Sequence, residues 1–314
     1  MSIIGDEIRK NHNSEKMDPL MHAIKTIHST LGASNPENEE SLNKQRASME
    51  RLSKLAAINT GMLYERNLVG DIPIEWARPE FAHRKDKVIL YCHGGGYTCG
   101  GLGYARILAG KLAYYTGLET LAFEYRLAPE NPYPSAIEDA IAIWNHLLFL
   151  GYGAKNIIIA GDSAGGNLAL EICLILKITE RFLPGGLILM SPWTDMTATS
   201  SSYEKYKDLD PLLTLEYILD VRKAYAGSYA DTRDPSFSPL FGDLSELPPT
   251  LIQVGSNEIL RSDSEQLYKN MRKQNVPCSL EVYKGGWHVF QQMPISKATK
   301  AMEDVKIFMD KYIL

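Results

Sequence analysis

The stretch GDSAGGNLALEI, residues 161–172, stands between an apolar run and a segment with helical spacing. The apolar run NIIIA, residues 156–160, predicts a buried strand, and the residues after Ser163 repeat leucine and isoleucine at the spacing of one helix face. A serine in this position has two interpretations. It is a favoured N-cap residue of a helix, or it is a nucleophile exposed at a sharp strand-to-helix turn, the context that G-x-S-x-G requires. The surrounding sequence decides between them.

From about residue 88 onward, the chain alternates short apolar runs with helical patterns. Because parallel strands are covered on both faces, they are apolar almost throughout. The runs that predict such strands are VILYC (88–92), ETLAF (119–123), NIIIA (156–160), LILM (187–190), TLIQV (250–254) and SLEVY (279–283). MLYERNLV and IPIEWA, separated by Gly70 and Asp71, predict an antiparallel hairpin at one edge. This alternation of strands and helices predicts an α/β protein with a doubly wound sheet.

Two segments do not follow this alternation. Residues 1–60 are predicted to be helical, with one helix starting at Asp18 and Pro19 and a second running from Ser41 to about Ile58. The apolar face of the first of these helices is formed by Leu20, Ile24, Ile27 and Leu31. Residues 195–235 form a polar, tyrosine-bearing insertion between two predicted strands. We expect both segments to lie outside the sheet as a lid on the main domain, residues 61–314.

Composition and charge exclude several classes of protein. Of the 314 residues, 45% are hydrophobic and 23% are charged, which is typical of soluble globular proteins. A net charge of -5 without a dense basic block argues against nucleic-acid binding. No apolar run approaches the ~18 residues of a membrane span, and the first residues lack the apolar core of a secretory signal. The four scattered cysteines fit reduced thiols. These features predict a cytoplasmic protein, for which a homodimer is the oligomeric state to test.

A second glycine-rich stretch, HGGGY at residues 93–97, directly follows the predicted strand VILYC. Glycine lets backbone N–H groups approach a bound molecule closely, because no Cβ stands in the way. If Ser163 is a nucleophile, the amides of Gly94, Gly95 and Ala164 are expected to form a three-donor oxyanion hole.

The same loop contains GLGYAR, which imitates a dinucleotide-binding fingerprint, with Glu124 some twenty residues further on. Its glycines lie about eight residues past Cys92, too late for the tight strand-to-helix turn that cradles a pyrophosphate. We therefore expect no nucleotide cofactor. No other cofactor and no metal ion are expected either.

A histidine late in the chain is the candidate base, because this strand-turn-helix arrangement orders its triad as Ser, then Asp or Glu, then His. His288 lies in KGGWHVF, directly after the last predicted strand. The acid is expected just past TLIQV, where Glu258 and Asp263 compete. Ser262 and Glu265 predict a capping box that places Asp263 in the first turn of a helix, where the helix dipole alone explains a carboxylate. Glu258 remains in the loop and is the preferred acid, with Asp263 as the alternative.

Taken together, HGGG, EYRLAPENPYPSAIED, GDSAGG and the late histidine resemble the hormone-sensitive-lipase-type family of α/β-hydrolase esterases. The similarity extends from residue 62 onward and includes SPWTD and DPSFSPLF. The resemblance implies an α/β-hydrolase fold with a mostly parallel eight-stranded sheet, helices on both faces and a helical cap. It implies Ser163 as nucleophile, His288 as base, and Gly94, Gly95 and Ala164 as oxyanion donors. The family's acid is more often Asp, whereas the matching position here holds Glu258.

The resemblance implies a cofactor-independent carboxylesterase that hydrolyses short- to medium-chain acyl esters through an acyl-enzyme. Its small-molecule ester would bind an apolar pocket, and the candidate lining residues are Tyr97, Trp193, Tyr203, Tyr206, Trp287 and Phe290. Two alternatives stay open. One is a lactone or amide hydrolase with the same triad. The other is a non-catalytic ligand-binding module, as in the plant gibberellin receptors that resemble this family but lack a working triad.

Overall fold

The computed structural model describes residue 19, residues 21–23, 25–26, 36–56 and 60–314, with the backbone alone for residues 52–56. In the N-terminal part, the structure has a helix α1 at Glu39–Ala56, close to the bounds predicted from Ser41 onward. The earlier predicted helix falls largely outside the described residues. That statement applies to its start at Asp18 and to the predicted apolar face of Leu20, Ile24, Ile27 and Leu31.

Eight strands form one mostly parallel sheet. They are β1 Met62–Val69, β2 Ile72–Pro79, β3 Arg84–Cys92, β4 Leu118–Phe123, β5 Ile157–Asp162, β6 Gly186–Met190, β7 Thr250–Gly255 and β8 Cys278–Tyr283. Their order in space is β1-β2-β4-β3-β5-β6-β7-β8. β1 pairs with β2, and β2 with β4, in antiparallel register, whereas all the other neighbours are parallel. The predicted parallel sheet and its edge hairpin are confirmed.

Helices follow most of the parallel strands. They are α2 Leu102–Thr116, α3 Ser135–Phe149, α4 Ala164–Ile178, α5 Ser201–Lys205, α6 Leu215–Ala226, α7 Arg261–Lys273 and α8 Ser296–Tyr312. Short 3-10 turns lie at Ala154–Asn156, Pro239–Phe241 and Phe290–Gln292. Helices α5 and α6 belong to the segment 195–235 that the sequence analysis predicted as an insertion. None of the helices within the described ranges is long and apolar enough to cross a membrane.

Alternate residues of the central strands feed two separate cores, because successive side chains of a strand point to opposite faces. Leu90 and Ile159 pack in the larger core with Trp144 of α3. Their neighbours Ile89 and Ile158 pack in a second core, which includes residues of α2 and α8. All of these strand side chains are fully buried. The sheet is therefore covered by helices on both faces, as the near-continuous apolar runs predicted.

One predicted helix start is wrong in detail. Helix α7 begins at Arg261, and its N-cap residue Leu260 makes no side-chain cap bond. The Ser262 hydroxyl instead accepts the Ser202 amide of α5 at 3.2 Å, and Glu265 pairs with Arg261. The capping box does not form, because both of its side chains have partners outside the motif. Asp263 still lies in the first turn.

Candidate active site

The strand-to-helix turn at Ser163 joins the last residue of β5 to the first residue of α4. Ser163 has φ 54° and ψ −121°, a backbone conformation that non-glycine residues rarely adopt. Its amide donates to the Met190 carbonyl, and its carbonyl accepts from the Trp193 amide, both at 3.0 Å. The hydroxyl does not cap α4. The N-cap interpretation of this serine therefore fails, since the residue occupies the position without making the cap bond.

The two glycines that flank the motif are required by close backbone packing. A Cβ at Gly161 would overlap the carbonyl of Gly165, and a Cβ at Gly165 would overlap the carbonyl of Cys92 at the end of β3. The turn is therefore pressed against both its own helix and the start of the glycine loop at residues 93–97. This proximity explains why a nucleophile turn and a glycine loop from separate parts of the chain can serve one site.

The histidine of the loop after β8 reaches this serine. His288 Nε2 lies 2.9 Å from Ser163 Oγ, and His288 Nδ1 lies 2.9 Å from Glu258 Oε2. The exposed fraction is 9% for Ser163, 6% for His288 and 0% for Glu258. The geometry fits an imidazole that donates from Nδ1 to the carboxylate and accepts the serine proton at Nε2. The structure thus brings together the three residues that the sequence analysis selected.

The pKa of His288 reflects two opposing influences. Burial disfavours the charged imidazolium, but the hydrogen bond and negative charge of Glu258 favour it, with further contributions from Asp210 and Asp162. The carboxylates prevail, and the pKa of His288 is raised above its ordinary value. The site is therefore built to stabilise a proton on this ring once the ring has taken one.

A serine that the sequence analysis did not select connects the acid and the histidine loop. Ser191 follows β6 with φ 48°, and its hydroxyl donates to Glu258 Oε1 at 2.8 Å. The same hydroxyl accepts the Val289 amide at 3.1 Å. Glu258 Oε1 also accepts the Gly255 amide at 2.6 Å. Both oxygens of the carboxylate are thus held. The only sequence signal for Ser191 was its place at the start of SPWTD.

The glycine loop departs from the prediction at its first donor. The Gly94 amide donates to Asp162 Oδ1 at 2.9 Å and so has a partner already. Asp162 also accepts hydrogen bonds from the Tyr91 hydroxyl and, at 2.7 Å, from the Tyr104 hydroxyl. Burial raises the pKa of Asp162, although these bonds favour its charged form. Sequence reasoning missed Asp162 because nothing in GDSAGG shows where its side chain points.

The remaining amides of the region have a different status. Within the part of the chain that the structure describes, the amides of Gly95, Gly96 and Ala164 have no hydrogen-bond acceptor. An unpaired amide in a buried place is costly unless something else satisfies it. The amides of Gly95 and Ala164 can therefore donate to a bound molecule, as expected from the sequence. The Gly96 amide can donate as well, whereas the Gly94 amide, which was expected to do so, is bonded to Asp162.

The rival acid has a separate task. Asp263 is fully buried, and its Oδ2 accepts the amides of Thr194 and Asp195, each at 3.1 Å. Burial raises the pKa of Asp263 well above its ordinary value. The carboxylate thus supports the chain after Ser191 and makes no bond to His288. Asp263 lies in the first turn of α7, as predicted, but its role there is to bond these two amides and not only to face the helix dipole.

The six aromatic residues considered for a substrate pocket are all buried in apolar cores. Tyr97 stacks on Tyr225 at 3.7 Å between ring centroids and donates its hydroxyl to Asn167 at 2.8 Å. The others are Trp193, Tyr203 and Tyr206 in the larger core, and Trp287 and Phe290 in a small cluster with Met21. Each ring therefore has a packing role.

The described residues contain no cluster of three or more His, Cys, Asp or Glu side chains that could hold a metal ion.

The histidine of the glycine loop, His93, is unsuited to act as a base. It is fully buried and stacked on Tyr125, and burial lowers its pKa to about 4. Its Nδ1 lies 2.7 Å from the Gly94 carbonyl. His93 therefore stabilises the loop as a neutral ring.

The sequence of the chain is similar to those of known hydrolases. Residues 89–292 match the family described as the alpha/beta hydrolase fold. An esterase of Acinetobacter venetianus is 40% identical over 224 residues, which cover 71% of this chain and 74% of that protein. An acetyl-hydrolase of Streptomyces hygroscopicus is 36% identical over 222 residues, covering 71% and 73%.

The solved structures agree with the sequence relatives. The crystal structure of an esterase from the bacterial hormone-sensitive lipase family superimposes with a TM-score of 0.86 at 31% identity, covering 95% of this chain and all of that one. The fold, the strand-turn-helix motif and the relatives lead to one assignment. The chain belongs to the hormone-sensitive-lipase family of esterases with the alpha/beta hydrolase fold.

Proposed function

We propose that this protein is a serine-dependent carboxylic ester hydrolase that acts on short- to medium-chain acyl esters through an acyl-enzyme. One observation carries the proposal: His288 Nε2 lies 2.9 Å from Ser163 Oγ while His288 Nδ1 lies 2.9 Å from Glu258. A nucleophile, a base in hydrogen-bond reach and a third group that orients the base are the requirements of this chemistry. The esterase relatives support the same reaction class.

In the first half of the reaction, Ser163 Oγ attacks the ester carbonyl while His288 Nε2 takes the hydroxyl proton. The imidazolium then gives this proton to the departing alcohol as the carbon–oxygen bond breaks. Glu258 orients the ring and stabilises its charge. In the second half, His288 removes a proton from water, which attacks the carbonyl carbon of the acyl-enzyme. The imidazolium then returns this proton to Ser163 Oγ as the carbon–oxygen bond to the serine breaks and the acid is released. These steps need only side chains, amides and water.

We place the oxyanion hole at the amides of Gly95, Gly96 and Ala164. The support is their lack of an acceptor among the described residues, whereas the Gly94 amide donates to Asp162. Ala164 is the first residue of α4, so the positive end of the helix dipole adds to its amide. Donors fixed before the reaction stabilise the developing charge without reorganisation.

The proposal includes a cap made of residues 1–60 and 195–235. From α1, Arg46 Nε donates at 2.8 Å to the carbonyl of Thr98, the residue after the glycine loop. On the side of α6, a Cβ at Gly96 would come within 3.1 Å of Tyr217 Oη and Val221 Cγ1. Tyr217 and Val221 therefore bound the space beside the proposed oxyanion hole, and we expect them to limit the length of the acyl group.

The test is turnover of p-nitrophenyl acetate by Ser163→Ala and His288→Ala. Each variant should lose several orders of magnitude in kcat, and the double variant little more, because triad members act as a unit. Ser264→Ala is the matched serine control, since the hydroxyl of this buried serine makes no hydrogen bond to the described residues. His146→Ala on α3 is the matched histidine control.

Two outcomes would contradict the proposal. Full activity in Ser163→Ala would remove the nucleophile, and an intact chain that binds esters without turnover would favour the ligand-binding module. Comparing an ester, a lactone and an anilide at equal concentration separates the esterase from a lactone or amide hydrolase. An acyl series from acetate upward measures the length limit.

The cytoplasmic location and the homodimer stay predictions. All four cysteines are buried and unpaired, as expected of reduced thiols, which supports the first. Cell fractionation tests the location, and light scattering tests the oligomeric state.

A further inference from the structure

A buried lysine on α2 holds the turn that follows the histidine. Lys111 Nζ donates to three successive carbonyls: Gln291 at 2.7 Å, Gln292 at 3.0 Å and Met293 at 2.9 Å. These carbonyls belong to the 3-10 turn Phe290–Gln292 and the residue after it. The Lys111 residue is 9% exposed. An ammonium has three N–H donors, and here each of them has one acceptor.

A positive charge suits this position for two reasons. Carbonyls at the end of a short helix have no intrahelical partner, and the partial negative charge at that end attracts a cation. Burial lowers the pKa of Lys111 to about 8, so most of the side chain is still charged at neutral pH. Removing the ammonium would leave one buried and two part-buried carbonyl oxygens without this donor.

The turn at Phe290–Gln292 helps to fix the position of His288. His288 directly precedes Val289, which has φ 50°, a strained conformation for a β-branched residue. The amide of Val289 is held by Ser191 on one side, and the next residues are held by Lys111 on the other. The loop therefore depends on bonds from other elements to keep His288 beside Ser163.

The same helix also contacts the nucleophile turn. Helix α2 begins just after the glycine loop, and its Tyr104 hydroxyl donates to Asp162 Oδ2 at 2.7 Å. Tyr104, Leu108 and Lys111 follow the i, i+4, i+7 spacing of one helix face. One face of α2 thus contacts Asp162, the residue before Ser163, at one end and the 3-10 turn Phe290–Gln292 at the other.

We infer that Lys111 is a positioning residue for the ester hydrolysis proposed above, because its ammonium fixes the 290–293 turn and so holds His288 in line with Ser163. The residue touches neither substrate nor a reacting atom. The inference rests on the proposed function, and it adds a requirement that the triad and the oxyanion donors do not reveal.

The experiment compares Lys111→Met with Lys177→Met. Lys177, on α4, is a similarly bonded lysine whose Nζ donates to Asp243 Oδ2, the Ser245 carbonyl and the Ser245 hydroxyl, each at 2.7 Å. Both changes remove a multiply bonded ammonium, but only Lys111 bonds the histidine turn. We expect Lys111→Met to lower kcat for p-nitrophenyl acetate by about 10²-fold with little change in KM, since small misplacement of a reacting group has this effect. Lys177→Met should keep kcat.

Rescue and a spectroscopic signature separate positioning from stability. Lys111→Arg keeps the charge and several donors and should recover most of the lost kcat. The deshielded proton NMR signal of the His288–Glu258 hydrogen bond should broaden or shift in Lys111→Met and remain unchanged in Lys177→Met. If Lys111→Met does not fold, Lys111→Gln replaces it, with two N–H donors and an intermediate loss of kcat.

The inference is overturned if folded Lys111→Met, or Lys111→Gln in its place, keeps the wild-type kcat. It is also overturned if Lys177→Met loses as much activity as Lys111→Met. Both results leave the proposed function intact, because wild-type turnover and its loss in Ser163→Ala are measured separately. Absent turnover in the wild-type protein would instead remove the proposed function itself.

Discussion

At the scale of single residues, the two carboxylates near the site differ in what they bond. Glu258 Oε2 bonds His288, and Oε1 accepts hydrogen bonds from the Ser191 hydroxyl and the Gly255 amide. Asp263 bonds only backbone amides with Oδ2, and its Oδ1 has no partner among the described residues. The first arrangement orients an imidazole, whereas the second fixes a loop. Substitution of Glu258 should therefore affect activity, whereas substitution of Asp263 should affect the pH dependence of stability.

We expect Glu258→Gln to lower kcat by about 10⁴-fold, the loss seen when an amide replaces the triad carboxylate of a serine protease. Since Glu258 raises the pKa of His288, the acid limb of kcat/KM should also move to lower pH in this variant. Asp263→Asn should keep kcat and leave that limb in place. Rates measured between pH 5 and 9 for both variants check these expectations. If Asp263→Asn loses activity and Glu258→Gln keeps it, Asp263 and not Glu258 is the acid of the triad.

Asp263 should also affect how the free energy of unfolding depends on pH. The raised pKa of Asp263 means that the folded state favours its protonated form. This contribution to stability is fully present below the ordinary aspartate pKa and is lost as the pH rises through the folded-state pKa. Asparagine does not titrate, so the free energy of unfolding should fall less between pH 5 and 8 in Asp263→Asn than in the wild type. Urea unfolding at both pH values measures the difference.

At the scale of elements, the site depends on how closely β3, β5 and α4 approach one another. Gly165→Ala would press a methyl group onto the Cys92 carbonyl at the end of β3. Overpacking of this kind costs about 1–3 kcal/mol in the free energy of unfolding. Movement of the turn should lower kcat by about 10²-fold as well.

The matched control is Gly153→Ala. Gly153 has φ −68°, and the nearest atom to its added Cβ is Asn156 Nδ2 at 3.7 Å. Alanine can adopt this conformation, so Gly153→Ala should raise the free energy of unfolding by about 0.4–1 kcal/mol, because the unfolded chain loses conformational freedom. Thermal unfolding and kcat of the two variants check the argument. Equal behaviour of the two would mean that the close approach at Gly165 does not matter.

The elements themselves were the part most accessible to sequence reasoning. Buried parallel strands are apolar in every position, so a run such as NIIIA gave β5 with an offset of one residue at its start and two at its end. The start of β3 was missed by four residues, because Arg84 and Lys87 are polar and the strand begins at an exposed end. The capping box at Ser262 failed because its side chains bonded other elements instead.

At the scale of the whole molecule, the unpredicted parts of the site share one property. Asp162, Ser191 and Lys111 act through partners that lie 68, 67 and 180 positions away along the chain. Motif spacing identifies a nucleophile, a base and an acid, because the order of these groups follows the order of the strands. It does not show which amide a carboxylate will bond, as with Gly94, since this depends on how separate elements pack.

The N-terminal segment is the part whose role extends over the whole molecule. Lys25 Nζ donates to the Asp208 carbonyl at 2.7 Å, and Glu37 pairs with Lys223 of α6. Met21 is fully buried beside Trp287, the residue before His288. The segment therefore contacts both the insertion at residues 195–235 and the residue before His288.

Removal of residues 1–40 should lower the melting temperature and widen the acyl range. Burial of one methionine contributes about 1.5–3 kcal/mol, and loss of the contacts made by Lys25 and Glu37 frees the insertion to move. Arg46 stays in the shortened chain, so its bond to Thr98 should preserve turnover of p-nitrophenyl acetate. Longer acyl esters should gain relative to acetate, because the space near His288 opens. The ratio of octanoate to acetate turnover measures this, and an unchanged ratio would mean that the segment stabilises the fold without covering the site.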